Sequence, residues 1–470
     1  MNLIKDIKDY DFLRTASNIA DDIGVELYIV GGFVRDIFLK KDKDEIDFLL
    51  VGKENNFVEK FAKNLQVKKI NIYKNFGTAQ FLYNNLKLEF VNARKESYKK
   101  GSRNPKVVKG NFEDDIARRD FTINTLAVSL NQNNFGELID TYNGLQDIKD
   151  KIIKTPLNPN ETFDDDPLRI MRAFRFASTL GFNVDEKIID AAKRNKERLK
   201  IVSQERITDE FLKILSSPKP SIGLKLLQRS EVMSVIFPQI SKLQGVDQRK
   251  DFHHKEVFLH TCTVVDNISE NTNDVWLRFA ALVHDIAKPQ TKKFVEGTGW
   301  TFHGHEEIGA RMMNKIFHDL KLPLAKLNYV KKLVRLHLRP IALAKDEVTD
   351  SAIRRFIVKA DEDLNDLITL CRADITSKNP QKVSKYLANY ERVMKKVLEV
   401  QEKDKLRAFQ SPVRGEEIMK VCNLKPSKKV GEIKKAIEEA ILDGDISNNY
   451  EEAYEFLLKI KDKFLSISSD

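Results

Sequence analysis

The apolar positions of this chain follow two different periods. In the first third they form short runs or alternate with polar residues, as strands do. Leu27-Tyr28-Ile29-Val30 is one such run. Ile46 and Phe48 alternate with Glu45 and Asp47, and Leu86, Leu88 and Phe90 share one face of a third strand with Glu89 on the other. Residues 1–25 read as a leading helix and residues 26–150 as an α/β unit. A linker containing Pro156, Asn158, Pro159 and Asn160 follows, and from Glu161 the period is helical almost to the end. The clearest helix opens at Asp166-Pro167, with Asp as N-cap and Pro at the first helical position, and closes at Gly181. Leu168, Met171, Phe174 and Ala177 fall on its core face. The pattern breaks near Pro238. These breaks predict four segments, 1–150, 151–240, 241–385 and 386–470, with no internal repeat.

The polar positions add chemistry to this frame. The first strand runs into Gly31-Gly32 and then into a helix carrying Arg35 and Asp36. Glycines there let the backbone approach a phosphate, and the helix start aims amides at the same anion. Glu45 and Asp47 share one strand face. Acids this close repel unless a cation lies between them, and hard carboxylate oxygens suit Mg²⁺, which also bridges phosphates. With Glu89 on a neighbouring strand, three carboxylates converge, the minimum for two-metal nucleotidyl transfer. In the later helix Asp166, Arg169 and Arg172 lie at three-residue steps along one face, with Arg175 a step further. Arginines gathered this way call for anions.

Gly-Gly-x-Val-Arg-Asp, the acid-x-acid strand, the run Glu89–Tyr98, and Arg118-Arg119-Asp120-Phe121-Thr122-Ile123-Asn124 follow one another in order. Asp165-Asp166-Pro167-Leu168-Arg169 and Glu205-Arg206-Ile207 extend the series. Over residues 27–215 the chain resembles the class II tRNA nucleotidyltransferases (CCA-adding enzymes) and bacterial poly(A) polymerases. The resemblance implies an α+β multidomain protein: a nucleotidyltransferase head with a mixed sheet, then an all-α neck, an HD domain and a helical tail. It implies catalysis by Glu45, Asp47 and Glu89 with Mg²⁺. It places Gly31, Gly32, Arg35, Asp36, Arg119, Asp120 and Asn124 around the triphosphate and ribose. Asp166 and Arg169 would read the base of CTP or ATP, and Arg172 and Arg175 would take phosphate or the tRNA acceptor end. Two positions depart from the family, Glu45 and Asp165, where Asp and Glu are usual. The segment Tyr73-Lys74-Asn75-Phe76-Gly77-Thr78 lacks the Gly-Arg-Arg-Phe type of sequence that poly(A) polymerases tend to carry, which favours the tRNA enzyme. Full CCA addition, CC-only or A-only addition, and poly(A) synthesis stay open.

A second constellation lies further on. His260, the pair His284-Asp285 and Asp374 have the order of an HD-domain metal site over residues 250–380, with His303 and His305 as added candidates. Such residues hold one or two transition-metal ions and activate water. An HD phosphohydrolase with an RNA-binding head is therefore the alternative from another class. In the tail, Gly415–Met419 and Lys425–Lys435 read as two helices whose turn, with Ser427, Lys428 and Lys429, offers amides and lysines to an RNA backbone.

Composition agrees. The net charge of +10 favours a polyanionic partner. Three distant cysteines, Cys262, Cys371 and Cys422, form no metal pair and suit a reducing, cytoplasmic setting. The N-terminus lacks a signal-peptide core, and no apolar run is long enough to span a bilayer.

Overall fold

The computed structural model describes residues 1–52, 56–73, 77–97, 106–246, 256–344, 348–377, 379–404 and 411–465. Lys74, Asn75, Phe76 and Tyr98, quoted above for the resemblance, lie outside them. The chain divides into two compact units, residues 1–242 with 319–321, and residues 243–318 with 322–470.

The first unit is built on a seven-stranded mixed sheet. In chain order its strands are β1 (Glu26–Val30), β2 (Glu45–Val51), β3 (Asn71–Tyr73), β4 (Thr78–Tyr83) and β5 (Leu86–Asn92). A separate hairpin, β6 (Arg94–Ser97) with β7 (Lys106–Lys109), precedes the last two, β8 (Ala127–Ser129) and β9 (Leu138–Ile139). The order across the sheet is β3-β4-β5-β2-β1-β8-β9. Every neighbouring pair is antiparallel except β2 and β5, which run parallel at the centre. A parallel pair needs a crossover. Here the helix Phe57–Asn64 and the β3–β4 hairpin supply it.

The alternation expected of β2 and β5 is realised. Ile46, Phe48, Leu88 and Phe90 are fully buried on one face. Phe48 and Phe90 stack with ring centroids 4.8 Å apart, and Phe57, Phe61 and Phe81 close over them. The opposite face carries Asp47 and Glu89, paired in register, and Glu45, which pairs with Lys87. The aromatic layer is therefore the floor on which the acids stand.

The expected leading helix is two pieces, Ile4–Ile7 and Phe12–Asp22, separated by a turn at Lys8–Asp11. The helix Leu168–Leu180 forms as expected. Asp166 Oδ1 accepts from the Leu168 amide at 3.1 Å, and Gly181 ends the helix in the left-handed region at φ 69°. Leu168, Met171, Phe174 and Ala177 are buried. The described residues of the second unit are mostly helical and include a two-stranded hairpin of Lys293–Val295 with Gly299–Thr301. The tail carries the helices Gly415–Cys422 and Lys428–Asp443. Among the described residues no helix is long and apolar enough to cross a membrane.

Truncating the ring that covers both acid strands should be costly. Phe61→Ala is expected to destabilise the first unit by about 3–5 kcal/mol, read as a lowered urea midpoint of its unfolding transition.

Candidate active site and metal centre

The parallel register brings Glu45, Asp47 and Glu89 together, with carboxylate oxygens all within 4.8 Å of one another. Asp44 is exposed and outside this set, as its phase requires. Burial is the largest influence on Asp47, and with the neighbouring charges of Glu45 and Glu89 it raises its pKa from 3.8 to about 6 against the opposing Arg119 guanidinium. Three close hard acids, one of them held against its ionisation, suit a divalent cation. Lys87, which the sequence reading passed over, lies on the same face. Its Nζ is 2.5 Å from Glu45 Oε1 and 3.0 Å from Glu89 Oε2.

Gly31 sits against this triad. Its φ is +80°, and a Cβ there would stand 3.1 Å from Arg119 Nη1 and 3.3 Å from Asp47 Oδ2. Any side chain would therefore both strain the turn and crowd the acid. The helix Gly32–Leu39 follows directly.

Behind the turn runs one continuous polar chain. Arg35 is buried, forks onto Asp36 with two bonds of 2.9 Å, and donates to Asn124 Oδ1 at 2.8 Å. Asn124 donates to Asp120 Oδ1 at 2.9 Å, and the Arg172 guanidinium forks onto Asp120 Oδ2 at 2.6 and 2.8 Å. Burial alone would raise the Asp120 pKa, but Arg172 and Asn124 outweigh it and hold it at about 2. Arg175 pairs with Glu210 at 2.8 Å. Phe176 lies under the guanidinium groups of Arg35, Arg172 and Arg175, with Arg175 nearest at 4.5 Å. The structure thus gives Arg35, Arg172 and Arg175 protein partners. Arg169 is held by a backbone group, its Nη2 donating to the Arg118 carbonyl at 2.6 Å, and with Arg172 it lines an open cleft.

That cleft, near 540 Å³ in volume, lies within the first unit. Asp47, Glu89, Arg119, Asp120, Asp166 and Arg169 all line it. Arg118, Arg206 and Asp209 also reach it. Arg118 and Arg206 stand in motifs quoted above, whereas Asp209 gives no local signal in the sequence.

The second unit holds a buried histidine–aspartate cluster. His260 Nε2 is 2.9 Å and His284 Nε2 3.4 Å from Asp374 Oδ1. Asp285 divides its oxygens. Oδ2 faces His260 at 3.6 Å and His284 at 3.2 Å, while Oδ1 faces His305 at 3.3 Å and His337 at 4.0 Å. Two ligand sets result, sharing Asp285. His337 was not anticipated, and His303, offered alongside His305, is exposed and outside both sets.

The rings are pinned from behind. The Nδ1 atoms of His284, His305 and His337 bond the carbonyls of Ala281, Phe302 and Val334 at 2.6–2.7 Å, and His260 Nδ1 meets Thr376 Oγ1 at 2.9 Å. A carbonyl only accepts, so Nδ1 carries the proton and Nε2 is aimed inward as a ligand. His284 Nε2 and Asp285 Oδ2 are buried without a well-formed hydrogen bond, although Lys288 Nζ lies 2.7 Å from that oxygen. Burial lowers the His284 pKa, but Asp285 and Asp374 outweigh it and raise it to about 10. This site is therefore built to hold positive charge, and its imidazole-rich donor set fits a transition-metal ion.

Comparison with known proteins gives these two sites a context. Residues 27–154 match the family model described as the poly A polymerase head domain, 181–243 the probable RNA- and SrmB-binding site of polymerase A, and 253–379 the HD domain. The A-adding tRNA nucleotidyltransferase of Deinococcus radiodurans is 32% identical over 350 residues, 73% of this chain and 78% of that one. The multifunctional CCA protein of Tolumonas auensis is 30% identical over 371 residues, 74% of this chain and 84% of that one. The fold is that of the solved apo form II of a CCA-adding enzyme, with a TM-score of 0.66, 22% identity, and coverage of 98% and 99% of the two chains. A mixed sheet with an acid triad beside a glycine turn defines a nucleotidyltransferase, an enzyme class that depends on divalent metal. The chain belongs to the tRNA nucleotidyltransferase and poly(A) polymerase family and carries an HD domain.

Two outcomes follow from the geometry. Because folding raises the Asp47 pKa, ionising Asp47 weakens the fold as pH climbs from about 4 through 6, and the penalty persists above that. In chelator at pH 8, Asp47→Asn is expected to be more stable than the parent by up to about 3 kcal/mol, with the gap closing near pH 4 in thermal melts. Elemental analysis should separate the histidines. His337→Ala is expected to lower bound transition metal, whereas His303→Ala leaves it unchanged.

Proposed function

We propose that this enzyme completes the CCA end of tRNA, adding C and A from CTP and ATP without a template and releasing pyrophosphate. One observation supports the reading above the others: a single cleft is lined both by Asp47 and Glu89 of the acid triad and by Asp166 and Arg169. Glu45 and Asp47, with Glu89 supporting, are the residues that would hold Mg²⁺. Two such ions would supply the chemistry of nucleotidyl transfer, one activating the RNA 3′-hydroxyl towards the α-phosphate and the other neutralising charge on the departing pyrophosphate.

The chain's own groups do the rest. Gly31 leaves room for phosphate beside Asp47, and Arg119 supplies positive charge there. Asp166 presents an acceptor and Arg169 a donor fork, so the pair can mimic the hydrogen-bonding edge of a base. Arg172 and Arg175 act by holding the helix in place through Asp120 and Glu210. On this reading residues 1–150 are the head, 151–240 the neck, 241–385 the HD domain and 386–470 a tail that grips tRNA by its backbone. Work on tRNA places the enzyme in the cytoplasm. The buried cluster of His260, His284, Asp285 and Asp374, joined by His305 and His337, supports a second activity, metal-dependent hydrolysis of phosphate esters.

The test supplies Mg²⁺, a tRNA transcript lacking its last three nucleotides, and CTP, ATP or both, with products sized at single-nucleotide resolution. Three additions with both nucleotides are expected. A stop after two makes it a CC-adding enzyme. Addition only to a transcript already ending in CC makes it an A-adding enzyme, like the Deinococcus relative. A long tail from ATP alone makes it a poly(A) polymerase. Asp47→Ala should slow addition at least about a hundredfold, and Asp166→Ala should blur the choice between C and A. His284→Ala should abolish phosphatase activity and spare addition.

A further inference from the structure

We propose that Lys87 is a built-in competitor for the divalent ion of the head, an internal cation whose displacement raises the metal concentration at which the acid triad fills. This rests on the reading that Glu45, Asp47 and Glu89 hold that ion.

The placement follows from the sheet. Lys87 and Glu89 are two residues apart on β5, so they share a face, and the parallel register sets Lys87 opposite Glu45 and Glu89 opposite Asp47. The four side chains form a square of three acids and one base. Lys87 Nζ bonds Glu45 at 2.5 Å and Glu89 at 3.0 Å. Those two carboxylates are also ligand candidates, and an ammonium, which only donates, satisfies the same lone pairs a metal would take. A divalent ion and an ammonium cannot share them, because like charges at such separation repel.

The lysine is built to leave. Its side chain is 40% exposed, so the ammonium regains water when it moves, and its long stem lets it swing without disturbing the strand. Asp47 is left out of the lysine's bonds and keeps its oxygens facing Arg119 and the cleft. Lys87 therefore offsets part of the charge of Glu45 and Glu89 while leaving Asp47 unbonded to it. A metal ion must supply more than the lysine already gives, which a doubly charged ion does and a monovalent one does not.

Mn²⁺ titration followed by electron paramagnetic resonance tests this on the full-length protein. The binding that disappears in Asp47→Asn is assigned to the head, which separates it from any at the histidine cluster. Lys87→Met, which keeps the stem and removes the charge, is expected to tighten that head affinity about three- to tenfold, the scale set by two partly exposed ion pairs. Lys87→Arg is expected to stay near the parent. Unchanged or weaker binding in Lys87→Met, or equal tightening in Lys87→Arg, overturns the proposal while leaving the metal site intact. Absence of any Asp47-dependent binding in the parent overturns the metal reading and this proposal together.

Discussion

The parallel pairing of β2 with β5 is the constraint on which the catalytic half of this protein depends. It is the one parallel pair of the seven-stranded sheet, and its register sets Asp47 beside Glu89. A one-residue slip of either strand against the other would turn its acid into the aromatic floor and bring its phenylalanine to the acids' face. The stacked rings of Phe48 and Phe90 are thus what holds the acids in place, since no other arrangement buries both. The cost of gathering three carboxylates is visible in Asp47, whose pKa rises to about 6. The same local conflict that weakens the fold makes the site receptive to a divalent cation.

The histidine centre of the second unit solves a similar problem by different means. There the ligands come from separate helices, so no strand register can align them. Each ring is instead turned by a bond behind it, to Ala281, Phe302, Val334 or Thr376. Asp285 then joins the two ligand sets because its oxygens face opposite ways. Where the head aligns oxygens through backbone pairing, this centre aligns nitrogens through hydrogen bonds.

Most of the frame was legible in the sequence because it is local. Strand alternation, the Gly31 turn, the Asp166 cap and the Gly181 stop are each fixed by neighbours a few residues away. What escaped depends on distant partners. His337 stands on an apolar helical face, where a lone histidine gives no sign of a ligand, and only the fold brings it to within 3.3 Å of His305. His303 and His305 were equally eligible until the helix was seen to begin at His305, which sends the two to different sides. Arg172 and Arg175 were read as waiting for anions. Their three-residue spacing did call for negative charge, but Asp120 and Glu210, remote in sequence, supply it. Lys87 gives no signal of its own in the sequence, and only the parallel register sets it opposite Glu45. The leading helix is interrupted at Lys8–Asp11, a break for which the sequence carries no glycine or proline signal.

The polar chain from Asp36 to Arg172 ties the helix after the glycine turn and the helix of Asp166 and Arg169 into one frame. It starts on the helix after the glycine turn, passes through Asn124 and Asp120, and ends on the helix that carries Asp166 and Arg169. Every link is at least half buried, so each group is satisfied only if the next is in place. Arg169 adds a tie of its own, to the carbonyl of Arg118, one residue before the arginine that faces Asp47. If the helix Leu168–Leu180 shifted, it would have to break these bonds and expose buried charge. The geometry between the Asp166–Arg169 face and the acid triad is therefore fixed by the chain's own bonds, so any group that meets both faces meets a preset frame.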